Sequence, residues 1–146
     1  MSFSLRAALS ALVMSAACQA AMAAEPIRVG LCYDLTKSYG FITPQVAQAA
    51  RDYAALINSR GGLGGNPIEI TVQDHGNEPQ RGIECYERLK RDGVMVFDFM
   101  STPVARAVLP RVMQDGNLMI QAFHGRADAV DGEVFKPVFP LGPTYW

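Results

Sequence analysis

The sequence predicts an α/β fold built on a doubly wound parallel sheet. Two segments, Ile27–Leu31 and Ile68–Val72, alternate apolar with small or polar residues at the period of a strand with one buried face. A third segment, Val94–Phe99, is mostly apolar, which is typical of strands buried on both faces. Helical patterns separate these segments, and such strand–helix alternation implies a parallel sheet covered on both sides.

The first predicted helix follows the first strand. It begins at Thr43-Pro44, where a threonine N-cap and a proline in the first turn favour a helix start. It ends at Gly61-Gly62, because glycine adopts left-handed backbone geometry without cost. The residues expected on its inward face recur at helical spacing: Val46, Ala50, Tyr53 and Ile57.

Two more helices and two short strands complete the predicted alternation. The second helix ends at Gly93, and its inward face is predicted from three apolar residues: Ile83, Tyr86 and Leu89. The third helix opens at Ser101-Thr102-Pro103 and ends at Gly116, and Pro110 is expected to kink or divide it. The remaining strands are predicted over Leu118–Ile120 and Val134–Phe139.

Residues 1–23 predict a secretory signal peptide. Met1–Arg6 carries one positive charge, and Ala7–Ala17 is apolar apart from serines. Ala21-Met22-Ala23 then supplies the small-residue cleavage site. A membrane span is disfavoured because it needs about 20 apolar residues. We therefore expect an exported chain that begins at Ala24, with a lipid anchor at Cys18 as the less favoured alternative.

The charge balance argues against two classes of partner. The chain has 13 Lys and Arg residues against 14 Asp and Glu, and loss of Arg6 with the signal peptide would leave 12 against 14, a net charge of −2. Nucleic acid or an anionic membrane surface would favour a basic patch. We therefore expect no nucleic-acid partner.

The residue types that carry catalysis or metal binding form no recognisable group. The glycines of Gly61–Gly65 end a helix and precede a strand, whereas a dinucleotide-binding loop follows a strand and opens a helix. His75 and His124 have no ligand-spaced Cys, Asp or Glu around them, and Ser101 lies in no nucleophile elbow. Two acidic residues after strands are interpreted as turn residues, although paired catalytic carboxylates stay open: Asp34 and Asp74. We expect no enzymatic activity, no cofactor and no metal.

A family resemblance is carried by Ile57–Ile70. This stretch resembles a signature in which a helix ends in Ile-Asn, a Gly-Gly-Leu-Gly turn follows, and a strand leads to an Asp, here Asp74. Ile27–Gly40 is similar to the first strand and loop of the same family, and Pro79–Leu89 to its second helix. The family is that of the type I periplasmic solute-binding proteins, specifically the branched-chain amino-acid and amide-binding group of ABC transporters.

The resemblance implies a fold and a function. Members have two α/β lobes with a ligand cleft between them, and residues 24–146 are expected to form an incomplete N-terminal lobe, with the second lobe absent. The implied function is a leucine-binding-protein-like component that captures a small solute, such as an amino acid or amide, in the periplasm. It would deliver this solute to an ABC permease in the inner membrane. The alternative is the ligand-binding domain of a sensor or receptor with the same fold.

The predicted ligand site lies beyond the carboxyl ends of the strands, as in other open α/β sheets. Helices starting at Pro44 and Pro103 are expected to present free backbone amides, which suits a carboxylate. The resemblance places Ser101 and Thr102 near the family's carboxylate-binding serine, with helix capping as the alternative role. It places Ala122-Phe123-His124 near the ammonium- and carboxylate-contacting segment, where Phe123 and His124 replace small or hydroxyl residues and disfavour a plain aliphatic amino acid. The first loop adds three candidates: Tyr33, Tyr39 and Phe41. Loop packing is the alternative role of the last two.

A disulfide is predicted between Cys32 and Cys85. Cys32 lies near the end of the first strand, and Cys85 lies in the helix that joins the second strand to the third. In a doubly wound sheet the first strand lies between those two, and a right-handed crossover carries the helix over it. Export to an oxidising compartment permits the bond, and two separately buried thiols are the alternative.

Overall fold

A computed structural model describes residues 24–122 and 131–143. They form five strands and three helices, in this order: β1 Ile27–Tyr33, α1 Thr43–Ser59, β2 Ile68–Asp74, α2 Pro79–Arg91, β3 Val96–Asp98, α3 Thr102–Asp115, β4 Leu118–Ala122 and β5 Val138–Leu141. The signal-peptide prediction, with the cleavage site and Cys18, falls outside the described residues. Within those residues, no helix combines the length and apolar character needed to cross a membrane.

All five strands pair in parallel, in the order β2-β1-β3-β4-β5. The chain moves outward from β1 to β2, crosses back over β1 to β3, and then continues outward in the other direction. The predicted α/β doubly wound sheet is confirmed. The order places a topological switch point between β1 and β3, where successive helices leave the sheet on opposite faces.

The helices cover both faces of the sheet because successive residues of β1 point to opposite sides. Leu31 and Tyr33 pack in one buried cluster with Ala47 of α1. Cys32 points to the other face, in a larger cluster with residues of α2 and α3 that include Tyr86 and Val108. A side chain at Gly82 of α2 would overlap Val104 of α3, so the two helices pack in close contact at this position.

The glycine-rich stretch within Ile57–Ile70 forms the turn between α1 and β2. Gly62 has φ +78°, and a Cβ there would overlap the backbone carbonyl of Asn66. Asn58, at the end of α1, makes two hydrogen bonds to one residue at the start of β2. Its Nδ2 donates to the carbonyl of Ile68, and its Oδ1 accepts from the Ile68 amide, both at 2.8 Å. The signature therefore turns the chain from α1 into β2 and fixes where β2 begins.

Asn58→Ala is expected to lower the free energy of unfolding by about 1–3 kcal/mol, because it leaves the half-buried amide and carbonyl of Ile68 without their partner. Urea unfolding monitored by circular dichroism measures the loss. Asn58→Asp is the comparison variant, since it keeps an acceptor for the Ile68 amide but replaces the donor to the Ile68 carbonyl with a charged oxygen. Equal stability of Asn58→Ala and the wild type would contradict this role.

A disulfide joins Cys32 of β1 to Cys85 of α2, with their Cα atoms 6.3 Å apart. Both residues are buried in the cluster beneath α2 and α3. The bond links the central strand to the helix that crosses over it, which is the geometry expected of the right-handed crossover.

Several local predictions are wrong. Thr43 is not the N-cap of α1: its hydroxyl donates to the carbonyl of Asp34, and Ile42 occupies the cap position without a side-chain cap. Tyr53 of α1 is 65% exposed rather than inward-facing. Pro110 lies inside a continuous α3, so of the two predicted effects, a kink or a division of the helix, the division is wrong. The strand predicted over Val94–Phe99 pairs only at Val96–Asp98, and the strand predicted over Val134–Phe139 begins only at Val138.

Candidate functional site

The candidate site lies at the carboxyl ends of β1 and β3. These neighbouring strands flank the switch point, so the loop to α1 leaves on one face and the loop to α3 on the other. In open α/β sheets, ligands bind at this carboxyl-terminal edge, beside the switch point.

A buried pair of polar side chains links the two strands at this edge. Tyr33 ends β1 and Asp98 ends β3, and the phenolic hydroxyl of Tyr33 donates to Oδ2 of Asp98 at 2.8 Å. The other carboxylate oxygen of Asp98 accepts from the amide of Met100 at 3.1 Å. Burial raises the pKa of Asp98 to about 6, although the hydrogen bond from Tyr33 opposes this. Burial, with the nearby charge of Asp98, also raises the pKa of Tyr33.

Two carboxylates shape the loop after β1. Asp34 is fully buried and accepts from the backbone amides of Thr36, Lys37 and Tyr39 at 2.8–3.3 Å. Asp74 accepts from the amide of Leu35 at 3.0 Å and from the Thr36 hydroxyl at 2.9 Å. These contacts are those of turn residues, and they hold the loop before α1 in one conformation.

The charge of Asp74 is stabilised by this arrangement. Burial alone would raise its pKa, but the amides of Leu35 and Gly76, the Thr36 hydroxyl and the Arg81 guanidinium together lower it. Arg81 lies 3.3 Å from the carboxylate. Lys37 forms a further ion pair with Glu78 at the surface. This ion pair and the hydrogen bonds of Asp74 both join the loop after β1 to the loop after β2.

A second set of hydrogen bonds joins the loop after β2 to the loop after β3, passing over the end of β1. His75 is fully buried, and its Nε2 lies 2.9 Å from the carbonyl of Phe99. Its Nδ1 accepts from the amide of Asn77 at 2.9 Å, which leaves Nε2 to donate. The Ser101 hydroxyl donates to Oδ1 of Asn77 at 2.6 Å. Burial lowers the pKa of His75, so this histidine is neutral and serves as a structural link.

Backbone geometry marks the same two loops. Asn77 and Met100 are the non-glycine residues with positive φ in the described part of the chain, at 57° and 42°. Asparagine tolerates this left-handed geometry, whereas methionine rarely adopts it. Met100 is held there between the bond from its amide to Asp98 and the helix cap at Ser101. Such backbone strain is often found at functional sites.

The structure brings some of the predicted ligand residues to this edge. Ser101 is 1% exposed and caps α3, accepting from the amide of Val104 at 3.4 Å. Thr102, the next residue, is half-buried. Tyr39 is half-buried in the loop after β1, whereas Phe41 is 76% exposed beside the start of α1.

The fourth strand brings two further residues towards this edge. Ala122 ends β4, and Phe123 and His124 lie outside the described residues. Gln121 is buried, and its Oε1 has no hydrogen-bond partner within residues 24–122 and 131–143. Buried side-chain oxygens usually have a hydrogen-bond donor, so Gln121 is an exception among the described residues.

The expectation of free amides at the helix starts is wrong. The amide of Thr43 donates to Tyr39, and the amides of Gln45 and Val46 both donate to Ile42, so the first turn of α1 is bonded to its own loop. In α3 the amide of Val104 is capped by Ser101. These amides are therefore bonded within the chain rather than free for an anion.

Sequence reasoning missed Asp98 and Asn77. Asp98 had a signal, because it is the charged residue within the apolar run Val94–Phe99, and a carboxylate inside such a run needs a buried partner. Asn77 had none, because an asparagine in the loop between a strand and a helix is read as an ordinary turn residue. Within the described residues no three His, Cys, Asp or Glu side chains are grouped as metal ligands would be.

A family model described as periplasmic binding protein matches residues 26–146. Among curated proteins, the Leu/Ile/Val-binding protein BraC3 of Rhizobium johnstonii is 26% identical over 113 residues, which are 77% of this chain and 31% of the relative. Among solved structures, a fatty acid ABC transporter substrate-binding protein from Thermomonospora curvata is 33% identical, with a TM-score of 0.63 over 66% of this chain and 25% of that one.

The fold has a further match in a branched-chain amino acid ABC transporter structure from Thermus thermophilus with bound valine. Its TM-score is 0.74 over 85% of this chain and 32% of that chain, at 15% identity, so it supports the fold alone. The chain spans about a third or less of the length of these relatives. By their names they are solute-binding or transport proteins rather than enzymes. Because the family model matches every residue that follows the first 25, the chain belongs to the periplasmic binding protein family.

Proposed function

We propose that this chain is part of the substrate-binding component of an ABC transporter that captures a small carboxylate-bearing solute in the periplasm. The observation that carries the proposal is the family match over residues 26–146. Export by the predicted signal peptide of residues 1–23 would bring the protein to that compartment, where an inner-membrane permease is its expected partner.

The names of two relatives support a carboxylate-bearing solute. One is named for binding leucine, isoleucine and valine, and the other for fatty acid. The side chains of these solutes differ, but each solute carries a carboxylate. A fold that binds such different carboxylate solutes would recognise the shared carboxylate with a fixed set of hydrogen-bond donors. The residues that line the rest of the pocket would differ with the side chain of the solute.

The start of α3 is the proposed carboxylate position. Ser101 and Thr102 place two hydroxyls beside the helix N-terminus, whose dipole favours negative charge. Asp98 lies three residues before Ser101 and is held by Tyr33. This bond keeps the nearest carboxylate of β3 turned into the protein. An anionic solute at the start of α3 would therefore face the hydroxyls of Ser101 and Thr102 rather than this carboxylate.

Replacing the two hydroxyls is expected to weaken binding. In the full-length chain, Ser101→Ala and Thr102→Ala should each lower the affinity for a carboxylate solute by about tenfold, because a hydrogen bond to a charged group is worth about 1.5 kcal/mol or more. Isothermal titration calorimetry with L-leucine and with octanoate measures the change.

Two matched variants separate binding from folding. Ser59→Ala removes a hydroxyl that bonds to the end of its own helix, far from this edge, and should leave the affinity unchanged. Ser101→Gly removes the hydroxyl with little loss of helix stability, since glycine is tolerated at an N-cap. Wild-type affinity in the double Ala variant would remove these residues from the site. Failure of the wild type to bind either solute would refute the carboxylate class.

A further inference from the structure

The hydroxyl proton of Ser101 is already committed in this structure. The hydroxyl donates to Oδ1 of Asn77 at 2.6 Å, and its oxygen accepts the amide of Val104 at a longer 3.4 Å. A serine has one proton to donate. Ser101 therefore cannot donate to a solute carboxylate until Asn77 releases that proton.

The side chain of Asn77 can release the proton without leaving its place. Its amide presents an oxygen on one side and an NH₂ group on the other. A half-turn of that amide would direct Nδ2 towards Ser101, whose oxygen has a second lone pair to accept it. The hydroxyl proton would then be free to point towards a solute. The Asn77 backbone stays fixed throughout, because its amide is bonded to the buried ring of His75.

We infer that Asn77 is the positioning residue of the carboxylate site, and that the orientation of its side-chain amide decides whether Ser101 donates to the solute. This inference rests on the proposed function. In this role Asn77 does not contact the solute. It sets the direction of the hydrogen bond between its own side chain and Ser101, which joins the loop after β2 to the loop after β3.

Two substitutions of Asn77 are expected to have opposite effects on the Ser101 hydroxyl proton. Asn77→Asp keeps an acceptor for the Ser101 proton at neutral pH but has no NH₂ group to offer in exchange, so it should hold the proton permanently. Asn77→Gly removes the acceptor and leaves the proton free. Glycine also suits the positive φ of 57° at this position, where alanine would add strain.

The expected result is that Asn77→Asp binds L-leucine or octanoate about tenfold more weakly than Asn77→Gly does, in calorimetry on the full-length chain at neutral pH. Both variants are then remade with Ser101→Ala. In that background the difference between Asp and Gly should disappear, because the effect acts through the Ser101 hydroxyl.

Each other outcome overturns the inference in a distinguishable way. Equal affinities of the Asp and Gly variants would show that Asn77 is only a structural link. A difference that persists with Ser101→Ala would show direct repulsion between the introduced carboxylate and the solute. If the wild-type chain binds neither solute, the proposed function fails and this inference fails with it.

Discussion

Removing the disulfide, by Cys32→Ala together with Cys85→Ala, is expected to lower the free energy of unfolding by about 2–4 kcal/mol. The bond closes a loop with a sequence separation of 53 residues. Such a cross-link restricts the unfolded chain far more than the folded one, which already holds β1 and α2 together. A loss of this size is a large fraction of the stability of an ordinary domain.

Two measurements separate the bond from the packing of its sulfur atoms. Urea unfolding of the wild type with and without reductant reports the cross-link alone, because both thiols stay in place. The double variant adds the loss of two buried side chains and should be slightly less stable than the reduced wild type. Thiol titration of denatured, unreduced protein gives an independent test: two reactive thiols from Cys32 and Cys85 would contradict the bond.

The buried carboxyl of Asp98 is expected to make stability depend on pH. Folding raises its pKa from the ordinary 3.8 to about 6. Between these two values the folded chain holds a proton that the unfolded chain has lost, so stability falls as the pH rises. The contribution is fully present below about pH 4 and is lost above about pH 6. A shift of this size corresponds to about 3 kcal/mol.

Asp98→Asn isolates this effect, because asparagine keeps the shape of the side chain and an oxygen for the Tyr33 hydroxyl but does not titrate. The difference in unfolding free energy between variant and wild type should move by about 2–3 kcal/mol in favour of the variant between pH 4 and pH 7. Other titrating groups are common to both proteins and cancel. A difference that does not change with pH would contradict the burial of a titrating carboxyl here.

Tyr33→Phe is the matched variant from the other side of the pair. The Tyr33 hydroxyl lowers the pKa of Asp98 by donating to its charged form. Without that donor the pKa of Asp98 should rise further, and the loss of stability should extend to higher pH. Asp98→Asn thus removes the titration of this carboxyl, whereas Tyr33→Phe moves it to higher pH.

Much of the fold could be predicted because its signals are local. The alternation in β1 and β2 and the turn at Gly61-Gly62 follow from side-chain period and backbone freedom, and both are readable in sequence. Thr43 was mistaken for an N-cap because the same Thr-Pro pair allows its hydroxyl to donate to Asp34 instead. Tyr53 lies on the apolar repeat of α1, yet the sheet beneath is covered by smaller residues such as Ala47 and Ala54.

The candidate site was less predictable because its contacts are long-range. The sequence indicated Ser101 from its place before a helix, and the family resemblance gave it a role. The partner of its hydroxyl, Asn77, lies 24 residues earlier, and the partner of Asp98, Tyr33, lies 65 residues earlier. Such pairs are set by the order of strands in the sheet, which brings the ends of β2, β1 and β3 side by side.

Asn58 has a consequence for the outer edge of the sheet. β2 is an edge strand of the sheet that the described residues form. The carbonyl of Pro67 bonds inward to β1, so the amide and carbonyl of Ile68 point outward. Outward-pointing backbone groups on an edge strand are a template on which a foreign strand can add and start aggregation. The Asn58 side chain occupies both groups of Ile68. The backbone groups of Ile68 are therefore unavailable to a foreign strand, which could pair with them only after displacing the Asn58 side chain.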